Sequence, residues 1–530
     1  MEIHTPHQAA PGLSFEFVRC PALPQLSWCL EIEDGAHAVR VLHGVAVETG
    51  PRGFFEGAWA GDFTRGDFES DFMTGTGAKL VDGVLMLVTP NHTLDRLNVL
   101  RKDGVLYVSN SLPFVLARSQ EELDADFLFY DSYVASIKQG LKKFERHIPT
   151  KSGLSIRFLY CCNALLKDNR ALVVLPKVRS PAFATFAEYK AFLDETVLRI
   201  ARNGADARRH VRYSPMAAVS RGYDSPTALV VALAVGCRQA VTFRDSRGGL
   251  TDEDCGTPIA ERLGVKVREF GRLDYRQYPD FPEVENSGGP ADFLSFGESL
   301  RGTLLFTGFH GDKLWDKNCD KISRDIVRGD SSGASLTEYR LRVGYTNLAV
   351  PFIGVDSHPE LYAIANSREI APWSVGNLYD RPIARRIVEE AGIPRELFGQ
   401  KKRAAGVVVT TEGIAGTMSA RSLADFNRFA EERWDWLKTA NVSALQLVKT
   451  IAYVNQGATT VAKRLAHKAG LRLHSVPRVI PRKLDMLAFG YVGKESLLFH
   501  WGVEKLIARY QAALTQRPRS NNSERRLRAA

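Results

Sequence analysis

The first 160 residues of the chain show the two-residue period of half-buried β-strands. Alternating or β-branched runs occur at AVRVLHGVAVET, GVLMLVTP and VLYVSNS, with Gly, Asn and Asp turns between them. One stretch, DFLFYDSYVASIKQGLKKF, instead spaces its apolar residues at the helical period. The pattern predicts an antiparallel β-rich domain over residues 1–170 that includes one amphipathic helix.

The pattern changes between residues 216 and 410, where apolar strands alternate with helical segments. We predict strands at MAAVS, AVTF, VKVREF and TLLFTG, and helices at SPTALVVALAV and DEDCGTPIAERLG. This alternation is typical of an α/β domain with a parallel sheet, which we assign to residues 185–410. Residues 411–515 are predicted to be helical, and residues 516–530 form a polar, basic tail without core-forming residues.

Length and composition agree with a folded protein of several domains. At about 100–200 residues per domain, the 530 residues predict two or three domains. Hydrophobic residues at 45% and charged residues at 25% exclude collagen-like, coiled-coil and wholly disordered chains. No export signal or membrane-spanning run is visible, and the seven cysteines include no CxxC spacing. We therefore expect a cytoplasmic protein with no membrane partner.

The net charge of +10 is concentrated in the C-terminal part of the chain. Residues 411–530 contain 20 Lys and Arg against 9 Asp and Glu, and this leaves 50 against 51 in residues 1–410. Residues 438–483 contain no acidic residue at all. This basic segment is either a solvated face of a helical domain or a docking surface for an acidic partner, such as a nucleic acid or a carrier protein.

The segment MAAVSRGYDSPTALVVALAV predicts an anion site. An apolar strand ends at Ser220, a short loop contains Gly222, and a helix follows with Ser225 as its N-cap and Pro226 at its first position. Backbone N–H groups of such a loop bind phosphate at the carboxyl edge of a parallel sheet. Asp224 adds a carboxylate that would repel bare phosphate but suits Mg²⁺ bound to phosphate oxygens. A magnesium nucleotide is the ligand that satisfies both features.

The motif SRGYDS resembles the SGGxDS pyrophosphate loop of the ATP pyrophosphatases, specifically of the asparagine synthetase and β-lactam synthetase family. Further segments resemble that family in the same order: TDEDCGTPIAERLG, TGFHGDKLWD (its SGEGxDE loop), VPFIG (its PFLD) and GQKKRAAGV (its RxKxGF segment). In the first domain, LVTPNHTLDRLNVLRKDGVLYVSNSLPFVLARS resembles part of the family's glutaminase domain. The resemblance covers roughly residues 30–410 and implies a PP-loop synthetase domain behind a glutaminase-like domain.

The resemblance also implies site residues and cofactors, namely ATP and Mg²⁺. By this likeness Asp224 and Asp312 hold Mg²⁺, and either Lys401 or Lys402 stabilises charge on the adenylate and the tetrahedral oxyanion. Arg221 stands where the family has glycine, so it either donates to a phosphate oxygen or crowds the loop. The implied nucleotide-binding residues are Ser220, Arg221, Gly222, Tyr223, Asp224, Ser225, Thr242, Phe243, Gly308 and Gly311.

Two departures from the family pattern change the expected chemistry. The family's glutaminase nucleophile is an N-terminal cysteine, but residue 2 is Glu2 and the first cysteine is Cys20. We therefore expect no ammonia release from glutamine, as in the β-lactam synthetase scaffold. In the second domain, Phe309 occupies a position where the family has an acidic or tyrosyl residue, Asn347 stands where it has Glu, and Ala349 replaces an arginine.

His310 is the nearest titratable neighbour of these altered positions. It is a candidate general base for an incoming amine, although a lone histidine in a Gly-rich loop is more often structural. The resemblance thus predicts an AMP-forming ligase that adenylates a small-molecule or peptide carboxylate and transfers it to an amine or ammonia. Two alternatives remain: an enzyme that adenylates a tRNA base, with the basic segment 438–483 gripping phosphates, or a nucleotide-binding protein that has lost catalysis.

Overall fold

The computed structural model describes residues 13–69, 72–167, 171–246, 254–277, 291, 293–402, 406–433, 447, 450, 451, 454 and 494–516. Within these ranges the chain is mixed α/β, with an antiparallel β-rich N-terminal region, a parallel sheet and surrounding helices. No helix in this described part of the chain is long and apolar enough to cross a membrane. The basic segment 438–483, apart from residues 447, 450, 451 and 454, lies outside the described residues, as does the tail after Gln516.

Two sheets form the N-terminal region. Their strands, in the described part of the chain, are β1 (Ser14–Arg19), β2 (Trp28–Glu33), β3 (Ala38–His43), β4 (Glu48–Gly50), β5 (Gly53–Trp59), β6 (Met73–Val81), β7 (Val84–Val88), β8 (Leu97–Lys102), β9 (Val105–Ser109), β10 (His147–Pro149), β11 (Ser155–Leu159), β12 (Cys162–Lys167) and β13 (Ala171–Pro176). One sheet has the order β1-β3-β2-β9-β8-β11-β10 and the other β13-β12-β7-β6-β5-β4. Apart from the parallel pair β1 and β3, neighbouring strands run antiparallel.

Alternate residues of these strands build one apolar core between the two sheets. Trp28, Leu30 and Ile32 of β2 point into it from one sheet, and Phe54 of β5 and Leu87 of β7 from the other. The two-residue period read from the sequence is therefore the inward face of each strand. The second sheet continues to Pro176 through β13, six residues past position 170.

The predicted parallel sheet is present. Its strands are β14 (Ser214–Ala218), β15 (Gln239–Phe243), β16 (Lys266–Phe270), β17 (Thr303–Thr307) and β18 (Thr346–Ala349), in the order β16-β15-β14-β17-β18. All four pairings are parallel. Strand β14 is therefore central, with β15 on one side and β17 on the other. The loops that follow these strands leave a crevice between them at the carboxyl edge of the sheet.

Helices cover the sheets and connect the strands. In the described residues they are α1 (Leu112–Ser119), α2 (Tyr130–Ala135), α3 (Phe186–Gly204), α4 (Asp224–Leu233), α5 (Thr257–Arg262), α6 (Gly311–Leu314), α7 (Thr337–Val343), α8 (His358–Ala365), α9 (Pro382–Glu390), α10 (Val409–Thr417), α11 (Ala420–Glu432) and α12 (Leu498–Thr515). The helices α10 to α12 agree with the predicted helical character of the C-terminal region. Helix α12 returns to the N-terminal region, where Tyr510 stacks on Phe114 of α1 at 4.6 Å between ring centroids.

Two local predictions need correction. The amphipathic stretch forms only α2 and a 3₁₀ segment to Gln139, because Gly140 takes a left-handed conformation and the next amide, Leu141 N, donates to Asp325 O at 2.8 Å. Ser225 is not the N-cap of α4, since the helix begins at Asp224 and Ser225 lies in its first turn. Pro226 is tolerated there because amides of the first turn have no intrahelical partner.

A buried ion cluster joins the N-terminal region to the parallel-sheet region. Arg340 of α7 donates to both carboxylate oxygens of Glu56, at 2.7 and 3.0 Å, and to Asp95 at 3.2 Å. A backbone bond from Leu26 N to Leu341 O, 3.0 Å long, lies beside it. The charged groups are almost fully buried, so the two regions are held by an interaction that water does not screen.

Candidate active site

The loops after β14, β15 and β17 meet at the carboxyl edge of the parallel sheet and line a cavity of about 580 Å³. A cavity of this size matches the range of about 300–1,000 Å³ found for small-molecule sites. Most of the residues predicted from the sequence line it, namely Ser220, Gly222, Tyr223, Asp224, Ser225, Thr242, Phe243, Gly308, His310, Asp312 and Lys402.

Two hydroxyl groups hold the loop between β14 and α4. Ser225 Oγ accepts a hydrogen bond from Ser220 N at 2.9 Å and lies 3.0 Å from Ser220 Oγ, which in turn accepts from Gly222 N at 3.3 Å. No side chain caps the first turn of α4. The loop is thus closed internally, while the N-terminal amides of the helix stay available to an anion.

Arg221 and Lys401 lie apart from the main cavity. Both line a smaller cavity of about 170 Å³. Arg221 Nε donates to Cys255 O at 3.1 Å, and Arg221 N donates to Asp254 Oδ1 at 3.2 Å. Arg221 therefore does not line the main cavity, and it ties the loop after β14 to the residues that precede α5.

Two glycines bring the carboxylates of the site together. A Cβ on Gly308 would lie 2.4 Å from the Asp224 carbonyl carbon, and one on Gly311 would lie 2.5 Å from Asp224 Cγ. Any larger residue would push apart the loops that follow β14 and β17. Gly308 and Gly311 thus let Asp224 and Asp312, from different loops, line the same cavity.

The pKa values of the two carboxylates are shifted in opposite directions. Burial raises the pKa of Asp224 to about 6, although Arg381 acts against this shift. Burial acts to raise the pKa of Asp312 too, but Arg381 and Lys402 outweigh it and hold that pKa below its usual value. The ammonium of Lys402 lies 3.6 Å from Asp312 Oδ2. Of the two adjacent lysines, Lys402 is therefore the one beside the carboxylates.

Asp224 has a free coordination position. Its Oδ2 accepts from Arg381, whereas its Oδ1 is buried and has no hydrogen-bond partner among the described residues. A buried unpartnered oxygen is rare in folded proteins and fits a cation site. In the described part of the chain, no group of three or more His, Cys, Asp or Glu could hold a metal alone. The unpartnered oxygen of Asp224, in the same cavity as Asp312, is compatible with Mg²⁺ that also binds phosphate oxygens.

Arg381 is the main residue that the sequence reasoning missed. It is almost fully buried, and its guanidinium carbon lies 5.0 Å from the Tyr379 ring centroid. Burial acts to lower the pKa of Arg381, but Asp224, Tyr379 and Asp312 together outweigh burial and raise it above its usual value. The signal in the sequence was an arginine directly before Pro382, at the start of α9. That position does not indicate which acid it meets.

Several predicted residues have structural partners. Tyr223 is buried, and its hydroxyl accepts from Arg385. Thr242 Oγ1 accepts from Gly256 N at 2.9 Å. Phe243 stacks on Phe296 at 4.6 Å between centroids, and this pair forms an apolar wall of the cavity that suits a flat ring.

His310 is buried in the loop after β17, two residues before Asp312, and has a left-handed conformation with φ of 78°. Its ring stacks on Phe352 at 5.0 Å between centroids. Burial and the charge of Arg328 lower the pKa of His310 to about 3, so the imidazole is neutral at physiological pH. Its role as a base stays a prediction.

The side chains of Phe309 and Asn347 pack against neighbouring residues of the protein. Phe309 lies 5.2 Å from Phe293 between ring centroids, and Asn347 Oδ1 accepts from Thr307 Oγ1 at 2.8 Å.

Comparison with models of known protein families finds no match, and no curated protein matches the chain significantly.

Proposed function

We propose that the protein is an ATP-dependent, AMP-forming carbon–nitrogen ligase of the asparagine synthetase-like, PP-loop type. It joins the carboxylate of a small molecule or peptide to an amine or ammonia. The observation that carries the proposal is the pair Asp224 and Asp312 in one cavity, where Asp224 Oδ1 lacks a partner. The collinear motifs of the sequence supply the family, and the parallel sheet is compatible with it.

A carboxylate must be activated as an adenylate before an amine can attack it, because its own oxygen is a poor leaving group. Hydroxide does not leave an acid, whereas AMP leaves an acyl-adenylate readily. When bound, Mg²⁺ supplies Lewis-acid stabilisation of charge on the phosphate oxygens. The amides at the start of α4 would bind phosphate, and the guanidinium of Arg381, which donates to Asp224, would stabilise negative charge that develops on pyrophosphate. Lys402, 3.6 Å from Asp312 Oδ2, would stabilise charge on the adenylate.

The proposal assigns the nitrogen to free ammonia or an organic amine. Cys20, the first cysteine, follows β1, and its thiol lies 3.7 Å from Val18 O. Burial raises the pKa of Cys20, so little thiolate is present at neutral pH. Purified protein should therefore produce no glutamate from glutamine.

ATP–pyrophosphate exchange tests the ligase function. The assay uses a panel of carboxylic acids, including the protein amino acids and short dicarboxylic acids. We expect at least one acid to support Mg²⁺-dependent exchange, and Asp224→Asn and Asp312→Asn each to abolish it. Asp103→Asn, in the turn between β8 and β9, is the matched control because Asn suits its left-handed backbone.

Other outcomes point to the alternatives. Tight ATP binding without exchange for any acid would indicate a nucleotide-binding protein without catalysis. Transfer of labelled AMP to a tRNA would indicate a nucleic-acid-modifying enzyme. Either result would refute the ligase proposal.

A further inference from the structure

A short segment that the family motifs do not include packs directly on the loop carrying Asp312. This wall segment comprises residues 328–333, Arg-Gly-Asp-Ser-Ser-Gly. A Cβ on Gly329 would lie 2.8 Å from Asp312 Oδ2, and one on Gly333 would lie 2.8 Å from the Phe309 ring. Both ends of the segment thus contact the loop after β17 that carries Phe309 and Asp312. The residues between them, 330–332, line the main cavity.

The wall segment is held in place at its first residue. Arg328 N donates to Lys138 O at 3.0 Å, and the Arg328 guanidinium donates to Ser332 O, which closes the segment on itself. The Arg328 guanidinium carbon also lies 5.9 Å from the Phe352 ring centroid. The N-terminal region therefore supports one wall of the cavity through Lys138.

Asp330 presents a carboxylate to the cavity from this wall. Its Oδ1 accepts from Ser332 N at 3.0 Å, which fixes the side-chain direction. Asp330 is exposed, and its Oδ2 forms no hydrogen bond or ion pair with the described residues. Lys138 from the N-terminal region interacts electrostatically with Asp330, and Asp312 and Lys313 lie against the preceding residue, Gly329.

The other carboxylates of the cavity already have partners. Asp224 and Asp312 face Arg381 and Lys402. On the side of β15, Asp245 accepts from Arg272 N at 2.9 Å, and Asp254 accepts from Arg221 N. Unlike Asp224 and Asp312, Asp330 forms no ion pair with the described residues, and it lies on the segment that packs on the loop carrying Asp312.

Amide formation requires such a group. Alkylamines are protonated at neutral pH, and an ammonium has no lone pair with which to attack. A carboxylate at the cavity wall attracts the cation and takes up a proton as the nitrogen approaches the acyl group. We propose that Asp330 binds the ammonium group of the second substrate and is its proton acceptor. The inference rests on the proposed ligase function and specifies its amine as one that is cationic in solution.

In the amine step, one N–H proton of the ammonium passes to the Asp330 carboxylate. The freed lone pair of the nitrogen then forms the C–N bond to the acyl carbon. When the tetrahedral intermediate collapses, the C–O bond to AMP breaks and AMP leaves with its electron pair. The second N–H proton and the proton on Asp330 pass to solvent, which restores the carboxylate.

The test separates the adenylation step from the amine step. Asp330→Asn keeps the acceptor oxygen for Ser332 N but removes the charge, and Asp330→Glu keeps the charge. Asp325→Asn, in the same stretch of chain but outside the cavity, is the matched control. Each protein is assayed for ATP–pyrophosphate exchange, and for amide formation from methylamine and from hydroxylamine, which is largely uncharged at neutral pH.

We expect Asp330→Asn to keep exchange within about twofold of the parent, and to lose methylamine transfer by about 10²–10⁴-fold, the usual range for a general base. Hydroxylamine transfer should persist, methylamine transfer should recover as the pH rises, and the Glu variant should retain part of the activity. Unchanged methylamine transfer in Asp330→Asn would overturn the inference. Equal loss with both amines would overturn it as well, because it would indicate a structural role.

A binding measurement keeps the test independent of the unidentified acid. Saturation-transfer NMR with methylammonium, in the presence of ATP and Mg²⁺, should show contact with the parent and the Asp325→Asn control but not with Asp330→Asn. Equal contact in all three proteins would refute the amine site. Absence of exchange with every acid would refute the ligase function, while the NMR result would still decide whether Asp330 binds an amine.

Discussion

Replacing Arg340 by Met should destabilise the protein more than any single exposed ion pair could. Arg340 is 2% exposed and makes three charge-assisted hydrogen bonds, two to Glu56 and one to Asp95. Met fills much of the volume but leaves two buried carboxylates without a cation. Removing one partner of a buried ion pair costs about 3–5 kcal/mol. That is a large share of the roughly 5–15 kcal/mol by which domains are stable.

Part of this loss should be recovered by protonation. Burial already raises the pKa of Glu56 even though Arg340 is present. Without Arg340 that pKa rises further above its unfolded value, so the variant is least affected at low pH. Its stability is then lost progressively as the pH rises through the folded-state pKa. The difference between Arg340→Met and the parent should therefore widen from acidic to neutral pH.

Denaturant unfolding of four proteins measures the effect. They are the parent, Arg340→Met, Glu56→Gln and the double variant, with midpoints and slopes compared at two pH values. The double variant should lose less than the sum of the single variants, by about 0.5–3 kcal/mol. Arg301→Met is the control, because Arg301 and Glu298 form an exposed pair worth below about 1 kcal/mol. A loss for Arg340→Met no larger than for this control, or full additivity in the double variant, would refute the reasoning.

Three further predictions concern the site and the C-terminal helix. Mg²⁺–ATP affinity, measured by calorimetry, should fall as pH drops below about 6 because Asp224 then takes up a proton, and Asp312→Asn should weaken it by about 1–3 kcal/mol. Lys402→Met should slow single-turnover adenylation by about 10²-fold, whereas Lys401→Met should leave it near the parent rate, since only Lys402 lies beside Asp312. Glu338 of α7 accepts from the Tyr510 hydroxyl of α12 at 2.9 Å, and burial raises its pKa from 4.5 to about 7. Stability should therefore decline by roughly 3 kcal/mol as the pH rises from about 4.5 through about 7, and thermal melts of Glu338→Gln should lack this decline.

Much of the architecture could be predicted from local sequence patterns. The two-residue alternation in WCLEIE and VLMLV marks the faces that pack between the two N-terminal sheets. The apolar strands between residues 216 and 310 identify the parallel sheet, because buried strands and amphipathic helices have different periods. The strand, loop and helix around Gly222 could likewise be read directly, since each depends only on near neighbours.

Local patterns were insufficient where a distant contact decides the geometry. The predicted amphipathic helix ends early because Gly140 and Leu141 pack against Asp325. Ser225 has the residue type of an N-cap, yet its hydroxyl holds Ser220 N five residues earlier. A tertiary hydrogen bond decides the first case, whereas in the second a hydrogen bond within the loop replaces a capping bond worth roughly 1 kcal/mol.

The sequence alone therefore determined most of the strands and helices, the strand, loop and helix around Gly222, and the choice of Asp224 and Asp312 as candidate metal carboxylates. Only the tertiary structure decided which cations meet those carboxylates. Arg381 pairs with Asp224 across 157 residues, and Lys402 rather than Lys401 lies beside Asp312. Such pairings depend on how the sheet brings separate loops to one edge, and burial there sets the charge of each group. Neither the partner of each carboxylate nor the extent of its burial can be read from the spacing of neighbouring residues.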